Sequence, residues 1–235
     1  MARTIPAERF PQLIEVATRT FVARGYRLTQ MSDVAEELGV AKGTIYGYVA
    51  SKEALFDAAV RFADGHGTMP ELGELPLPTP AAGSTVRYIG ERLTEEVREL
   101  ALVAALSRPR GARVRADEFE LVVRDLFRCM SRNRRALKLV DRCAIDHPEL
   151  ASVWFEQGRY GQVALLETYF ESRIAEGRLR PVSNVSLTAR MVLETVALWA
   201  IHMPWDASPR PFADDDVENS VVDMLVHAHV KERTR

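Results

Sequence analysis

Apolar residues recur along this chain at steps of three and four almost throughout, and no stretch alternates with the period of two that a half-buried strand requires. The pattern predicts an all-α fold. Residues 6–24 place Leu13, Ile14, Ala17 and Phe21 on one face, and Gly25 follows as a stop. Thr29 is then the expected N-cap of a short helix in which Met31, Val34, Ala35 and Leu38 form the buried stripe. Gly39 ends that helix, and after Val40 and Ala41 the chain restarts as a short helix over 42–49, because glycine supplies the positive φ of a tight interhelical turn. Two short helices joined in this way are the signal of a helix-turn-helix. Ser51 caps a fourth helix with Glu53 in its first turn, fading near 64–67.

Residues 68–82, TMPELGELPLPTPAA, carry four prolines and one glycine, so a helix cannot continue through them. The chain therefore divides into an N-terminal domain over 1–65, a Pro-rich connector over 66–82 and a helical C-terminal domain over 83–235. In the last of these, Val86, Ile89, Leu93, Val97, Leu100 and Ala104 predict one long helix, and Phe119, Val122, Val123, Leu126, Phe127 and Met130 predict another. Further helices are expected over 134–146, 148–176, 185–203 and 216–230, the last with Asp214, Asp215 and Asp216 at its positive end.

Composition adds exclusions. The chain of 235 residues is 47% hydrophobic and 27% charged, which fits a globular protein and speaks against disorder or a disulfide scaffold. The longest apolar run, 196–205, is interrupted by His202 and Pro204 and is too short to span a bilayer, so a cytoplasmic location is expected and Cys129 and Cys143 are read as reduced core thiols. The net charge of −2 announces no nucleic-acid partner, and residues 1–65 balance eight bases with eight acids. Residues 108–142, by contrast, hold eleven bases against five acids. That excess reads either as a solvated helical face or, through Arg108, Arg110, Arg113 and Arg115, as attraction to DNA or to an anionic effector such as an acyl-coenzyme A.

The stretch GYRLTQMSDVAEELGVAKGTIYGYVASKEALFDAAV, with Asp33-Val34-Ala35, Gly39-Val40, Lys42-Gly43-Thr44, Tyr46, Tyr48 and Ser51-Lys52-Glu53-Ala54-Leu55 in one register, resembles the DNA-binding domain of the TetR family of transcriptional regulators. It covers about the first 65 residues. The resemblance implies a three-helix DNA-binding domain followed by a helical domain for effector binding and dimerisation, acting as a homodimeric repressor on a double-stranded, pseudo-palindromic operator. The residues fit that role physically. Gly43 and Thr44 near the start of a recognition helix over 42–49 allow close approach to the major groove, and Lys42 adds charge. Thr44 and Lys42 are the candidates for base edges; Tyr46, Tyr48, Lys52 and Thr29 are candidates for phosphate contacts. Tyr48 has a second reading, packing against the first helix. Two positions depart from the family pattern: Ala41 stands where relatives commonly carry a capping Ser, and Gly47 stands where a larger residue is common.

For the effector, Phe127, Met130, Cys143, Trp154, Trp199, His202 and Met203 are large or soft side chains on the C-terminal helices, each readable as pocket lining or as plain core. The helices over 148–176 and 185–203 are the expected dimer elements, with the final helix competing for one place. No cofactor, metal or catalytic residue is expected: the five histidines lack metal spacing, and GxSxG, GxxxxGK and GxGxxG are absent. The rival readings are an enzyme and a helical protein that acts through protein contacts alone.

Overall fold

The structure, a computed structural model, describes residues 9–66, 68–109, 115–208 and 212–231, and among them there are helices and no strands. The helices are α1 (Arg9–Leu28), α2 (Met31–Leu38), α3 (Lys42–Ile45), α4 (Lys52–Phe62), α5 (Ser84–Glu99), α6 (Ala101–Leu106), α7 (Glu118–Arg132), α8 (Arg134–Ala144), α9 (Pro148–Ala151), α10 (Gly161–Ala175), α11 (Val185–Ala197) and α12 (Asp214–His229). No helix among the described residues is long and apolar enough to cross a membrane.

Several boundaries differ from those expected, each for a local reason. The helix anticipated over 86–104 breaks at Leu100, whose backbone is extended (ψ 140°), and Asp125 on α7 accepts the freed Ala101 N–H at 2.8 Å. The helix anticipated over 148–176 is α9 and α10 with a π-helical stretch, Ser152–Tyr160, between them. The helix over 185–203 likewise loosens from α11 into a π-helical turn, Leu198–His202. α2 is entered through Gln30, whose N–H donates to the Asp33 carboxylate at 2.8 Å, and not through Thr29.

The chain folds as two compact units, one comprising Met1–Gly90 with Arg135–Trp154, the other Glu91–Arg134 with Phe155–Arg235. In the first, α1 packs on α2 and α4, and α2 on α3. Its core is aromatic: Phe56 meets Phe21 edge-on with centroids 5.4 Å apart and Tyr26 at 5.0 Å, and Phe10 meets Phe62 at 5.9 Å. Such pairs contribute about 0.5–1.5 kcal/mol beyond the area they bury. α8 and α9 belong to this unit. Asp64, just past α4, accepts the Arg135 and Ala136 N–H groups at 2.9 and 2.8 Å, satisfying orphan donors at the start of α8. At the other end of α8, Asp146 accepts the Arg27 N–H at 3.1 Å, and the His147 ring stands edge-on to Tyr26 with centroids 5.2 Å apart. Gly25 sits in this joint at φ 81°, where an added Cβ would come within 2.6 Å of the Arg142 guanidinium.

The second unit packs α7 on α11 and α12, and α10 on α11. Its polar seams are arginine–carboxylate networks. Arg173, with its side chain 6% exposed, holds Glu118 at 2.6 Å and donates to the Ala105 carbonyl at 2.9 Å, while Arg108 reaches the other Glu118 oxygen at 2.5 Å. Glu218 receives Arg124 and Arg128 at 2.7 and 2.9 Å, and Glu96 receives Arg92 and Arg132 at 2.7 and 2.6 Å. Six arginines of the basic stretch, at 108, 115, 124, 128, 132 and 134, thus carry carboxylate partners. Arg110 and Arg113 lie outside the described residues.

Candidate nucleic-acid interface

The local sequence explains the turn between α2 and α3. Gly39 adopts φ 70°, and the Gly39 and Val40 N–H groups cap the last carbonyls of α2 at 3.0 and 2.9 Å. Ala41 enters α3 in an extended conformation with no side-chain cap. The α-helix then spans Lys42–Ile45 only, and the chain continues to Val49 through tight turns in which the Gly47 and Tyr48 N–H groups reach back three residues. An uncapped start and a mid-helix glycine are the physical reasons that the expected eight-residue helix is short.

Burial divides the segment into two edges. Ile45, Tyr48 and Val49 face inward and are fully buried. Lys42 and Gly43 are exposed, Thr44 is half-buried, and Tyr46 is 43% exposed, so these four share one accessible edge. Lys52, at the first turn of α4, is half-buried; its ammonium lies 4.6 Å from the Tyr26 ring centroid and donates to the Arg27 carbonyl at 3.3 Å. Burial, and then the Glu53 carboxylate, push the Tyr26 phenol up to about 12.

Two of the seven DNA-contact candidates are core residues instead. Thr29 is 1% exposed, and its hydroxyl donates to the Gly25 carbonyl at 2.7 Å, locking the α1–α2 corner. Tyr48 lies with its ring centroid 6.5 Å from that of Phe10, and its burial pushes the phenol up against the lowering effect of Arg9. A hydroxyl sealed inside a domain does not reach a phosphate. The accessible polar residues beside Thr29 are Arg27, Gln30 and Ser32, which are not among the contact candidates. Their only signal is position, since they bracket the start of α2.

The seven effector candidates do not converge. Cys143 and Trp154 belong to the first unit, where burial pushes the Cys143 thiol up to about 12 and the Trp154 indole donates to Asp141 at 2.8 Å. Phe127 and Met130 are buried on α7; Trp199, His202 and Met203 sit in and after the π-helical turn. Of these, Trp199 alone lines the open apolar cavity of about 220 Å³ beside α12, with Phe212, Val217, Val221 and Met224, and with Asp216 and Ser220 at its polar side. The apolar spacing of Val217, Val221 and Met224 was legible on α12.

Comparison with known proteins agrees with this geometry. Residues 13–59 match the model of the bacterial regulatory proteins of the tetR family. An uncharacterised HTH-type transcriptional regulator of Bacillus subtilis, YhgD, is 44% identical over 50 residues, 21% of this chain and 26% of that one. The HTH-type transcriptional repressor KstR2 of Mycobacterium tuberculosis is 38% identical over 50 residues, 21% of this chain and 25% of the relative. The chain thus spans about a quarter of the length of these curated relatives. In fold the likeness extends much further: the structure of the ketosteroid regulator KstR2 of M. tuberculosis superposes with a TM-score of 0.56 at 19% identity, covering 95% of this chain and 96% of that one. The structure of AibR with isovaleryl coenzyme A and operator DNA superposes with a TM-score of 0.51 at 17% identity over 92% of this chain and 97% of that one. The helix-turn-helix of this chain thus matches the tetR family of bacterial regulatory proteins in sequence over residues 13–59, and the fold agrees with solved structures over nearly the whole chain.

Proposed function

We propose that this protein is a homodimeric, ligand-responsive transcriptional repressor of the cytoplasm that reads a pseudo-palindromic operator through α3 and the turn after it, and that it catalyses no reaction. The observation that carries the reading is the accessible edge of Lys42, Gly43, Thr44 and Tyr46. These side chains do nothing for the core that Ile45, Tyr48 and Val49 do not already do. A helix-turn-helix edge of this kind presents backbone N–H groups, a cation and hydroxyls to a groove, with phosphate contacts setting position and the few remaining groups reading bases. The division proposed is reading by residues 1–65, linkage by 66–82, and effector binding and pairing by 83–235.

Pairing has its own support. α11 buries Ala189, Val192, Leu193 and Val196, yet Leu187 and Met191 on its other side and Leu198 just past its end are 57%, 60% and 45% exposed, and on the α12 side Phe212 and Met224 are exposed where they line the cavity with Trp199. An apolar second face on a helix already packed on one side fits a two-fold contact with a second copy. α11 with α12, and not 148–176 with α11, is therefore the pair we assign to the interface. Two recognition segments in such a dimer would address half-sites about 34 Å apart. The effector class to screen first is an acyl-coenzyme A, the class that AibR carries in its complex, and Arg110 with Arg113 supply the residues to reverse in testing it.

The test is selection of bound sequences from a random duplex pool, followed by binding at several salt concentrations. A palindromic consensus is the expected result. Lys42→Ala should weaken binding and reduce the salt slope by about one, whereas Met191→Glu should yield monomers with poor binding. A folded dimer that enriches no duplex, with or without acyl-coenzyme A, would sink the proposal.

A further inference from the structure

The Pro-rich connector comes back to the recognition segment. Leu77 forms an isolated parallel bridge with Val49: its N–H donates to the Tyr48 carbonyl at 2.9 Å, and its carbonyl accepts the Ala50 N–H at 2.9 Å. Two residues on, the Thr79 hydroxyl donates to Ser51 Oγ at 2.9 Å, and that same oxygen accepts the Ala54 N–H at 3.1 Å as the cap of α4. Past the prolines, the Thr85 hydroxyl donates to Asp57 at 2.8 Å, and the Arg61 guanidinium, paired with Asp57 at 2.7 Å, lies 3.9 Å from the Tyr88 ring centroid. Residues 75–85 are thus anchored at three levels, on the exit of α3, on the cap of α4 and on the middle of α4.

We propose that residues 75–79 are a strap that positions the recognition segment, so that the connector is a working part of the DNA-reading unit and Leu77 a positioning residue. The reasoning starts from the weakness of α3. One α-helical turn, with no capping side chain before it and Gly47 after it, does not hold its own direction. Its entry is held by the Gly39 turn and its middle by Ile45. The exit, at Tyr48 and Ala50, has a carbonyl and an N–H that no helix satisfies, and the strap satisfies both. Pro78 and Pro80, alternating with Leu77 and Thr79, restrict the backbone of the strap and lower the entropy lost when it docks. Freed from the strap, the exit would be held by the buried Tyr48 and Val49 side chains without its backbone bonds, and the direction of the Tyr46 edge would be less firmly fixed.

This inference rests on the DNA-binding reading, and full-length protein with its own selected duplex tests the two separately. Leu77→Pro removes the donor to Tyr48; replacement of residues 75–79 by five glycines loosens the whole strap through chain entropy. Amide exchange at Ala50 reports docking directly and should be slow in the unmodified protein. We expect each variant to keep its helical content and dimeric state, to speed exchange at Ala50, and to lose tenfold or more in duplex affinity. Leu72→Ser, at an exposed position in the same connector, should leave affinity unchanged. Wild-type affinity in both strap variants, or fast Ala50 exchange in the unmodified protein, would overturn the strap alone. If the unmodified protein enriches no duplex, the DNA-binding reading falls and the strap's role with it. Should both strap variants fail to fold, Thr79→Val decides: a twofold to threefold loss of affinity supports the strap, and none overturns it.

Discussion

The two units of this molecule solve the same problem, burying helices against one another, with different chemistry. The first uses rings: Phe10, Phe21, Tyr26, Tyr48, Phe56 and Phe62 interlock, and its exposed edge on α3 is left to small and polar groups. The second has a ring cluster as well, of Phe119, Tyr169, Phe170 and His229, but it also threads arginines through its seams, with Arg173 on Glu118, Arg124 and Arg128 on Glu218, and Arg132 on Glu96. The contrast teaches where tolerance lies. An aromatic core fixes one geometry, as a surface that must match a DNA groove needs, whereas a buried ion pair specifies partners more than it stabilises.

That contrast can be broken from either side. The largest effect is expected from Phe21→Ala, which removes a fully buried ring from the first unit and should cost about 3–5 kcal/mol in denaturant unfolding, with loss of duplex binding. On the other side, Arg173→Met leaves Glu118 buried with Arg108 alone and should cost about 3 kcal/mol, whereas the double change Arg173→Met with Glu118→Leu should recover most of that loss. No recovery would show the pair to be a net stabiliser and would erase the distinction drawn above.

Smaller changes sharpen it. Ala41→Ser supplies the cap that α3 lacks and should raise stability by about 1 kcal/mol, read as a shift of the unfolding midpoint. The smallest expected effect is in pH dependence. Burial raises Glu96 and Glu218, but their arginine hydrogen bonds outweigh it, so both titrate below the usual carboxylate value of 4.5. Groups depressed in the folded state stabilise it above the unfolded pKa and lose that contribution as pH falls through their own. Asp64 in the first unit runs the other way: burial raises it above 3.8 despite two backbone hydrogen bonds, so protonation in that range favours the folded form. Acid titration followed by residue-resolved amide exchange should therefore show the second unit loosening at higher pH than the joint around Asp64.

Much of the first unit was legible from local pattern because its signals are local. Gly39 needs a positive φ, Ser51 has an N–H three residues on to cap, and Met31, Val34 and Ala35 share one face of a helix; each depends on neighbours within a turn or two. The same locality misled at Thr29 and Tyr48. Their residue types suit phosphate contact, but Thr29 turns to the Gly25 carbonyl within its own corner, and Tyr48 packs by Phe10, 38 positions away, which the chain brings near only on folding. In the second unit the helices were legible and the effector candidates were not, because a stripe of large apolar groups looks the same in a core and in a pocket.

The sequence by itself determined that the chain is helical and that a helix-turn-helix stands near its start. These follow from periodicity, caps and a dense register of family positions. Only the tertiary structure decided that α8 and α9 return to the first unit, that Asp64 and Asp146 hold α8 at its two ends, and that the Pro-rich connector is bonded to the exit of α3. Each of those contacts joins residues 27 or more positions apart, and each has a backbone group on at least one side, which carries no residue identity for a sequence pattern to display.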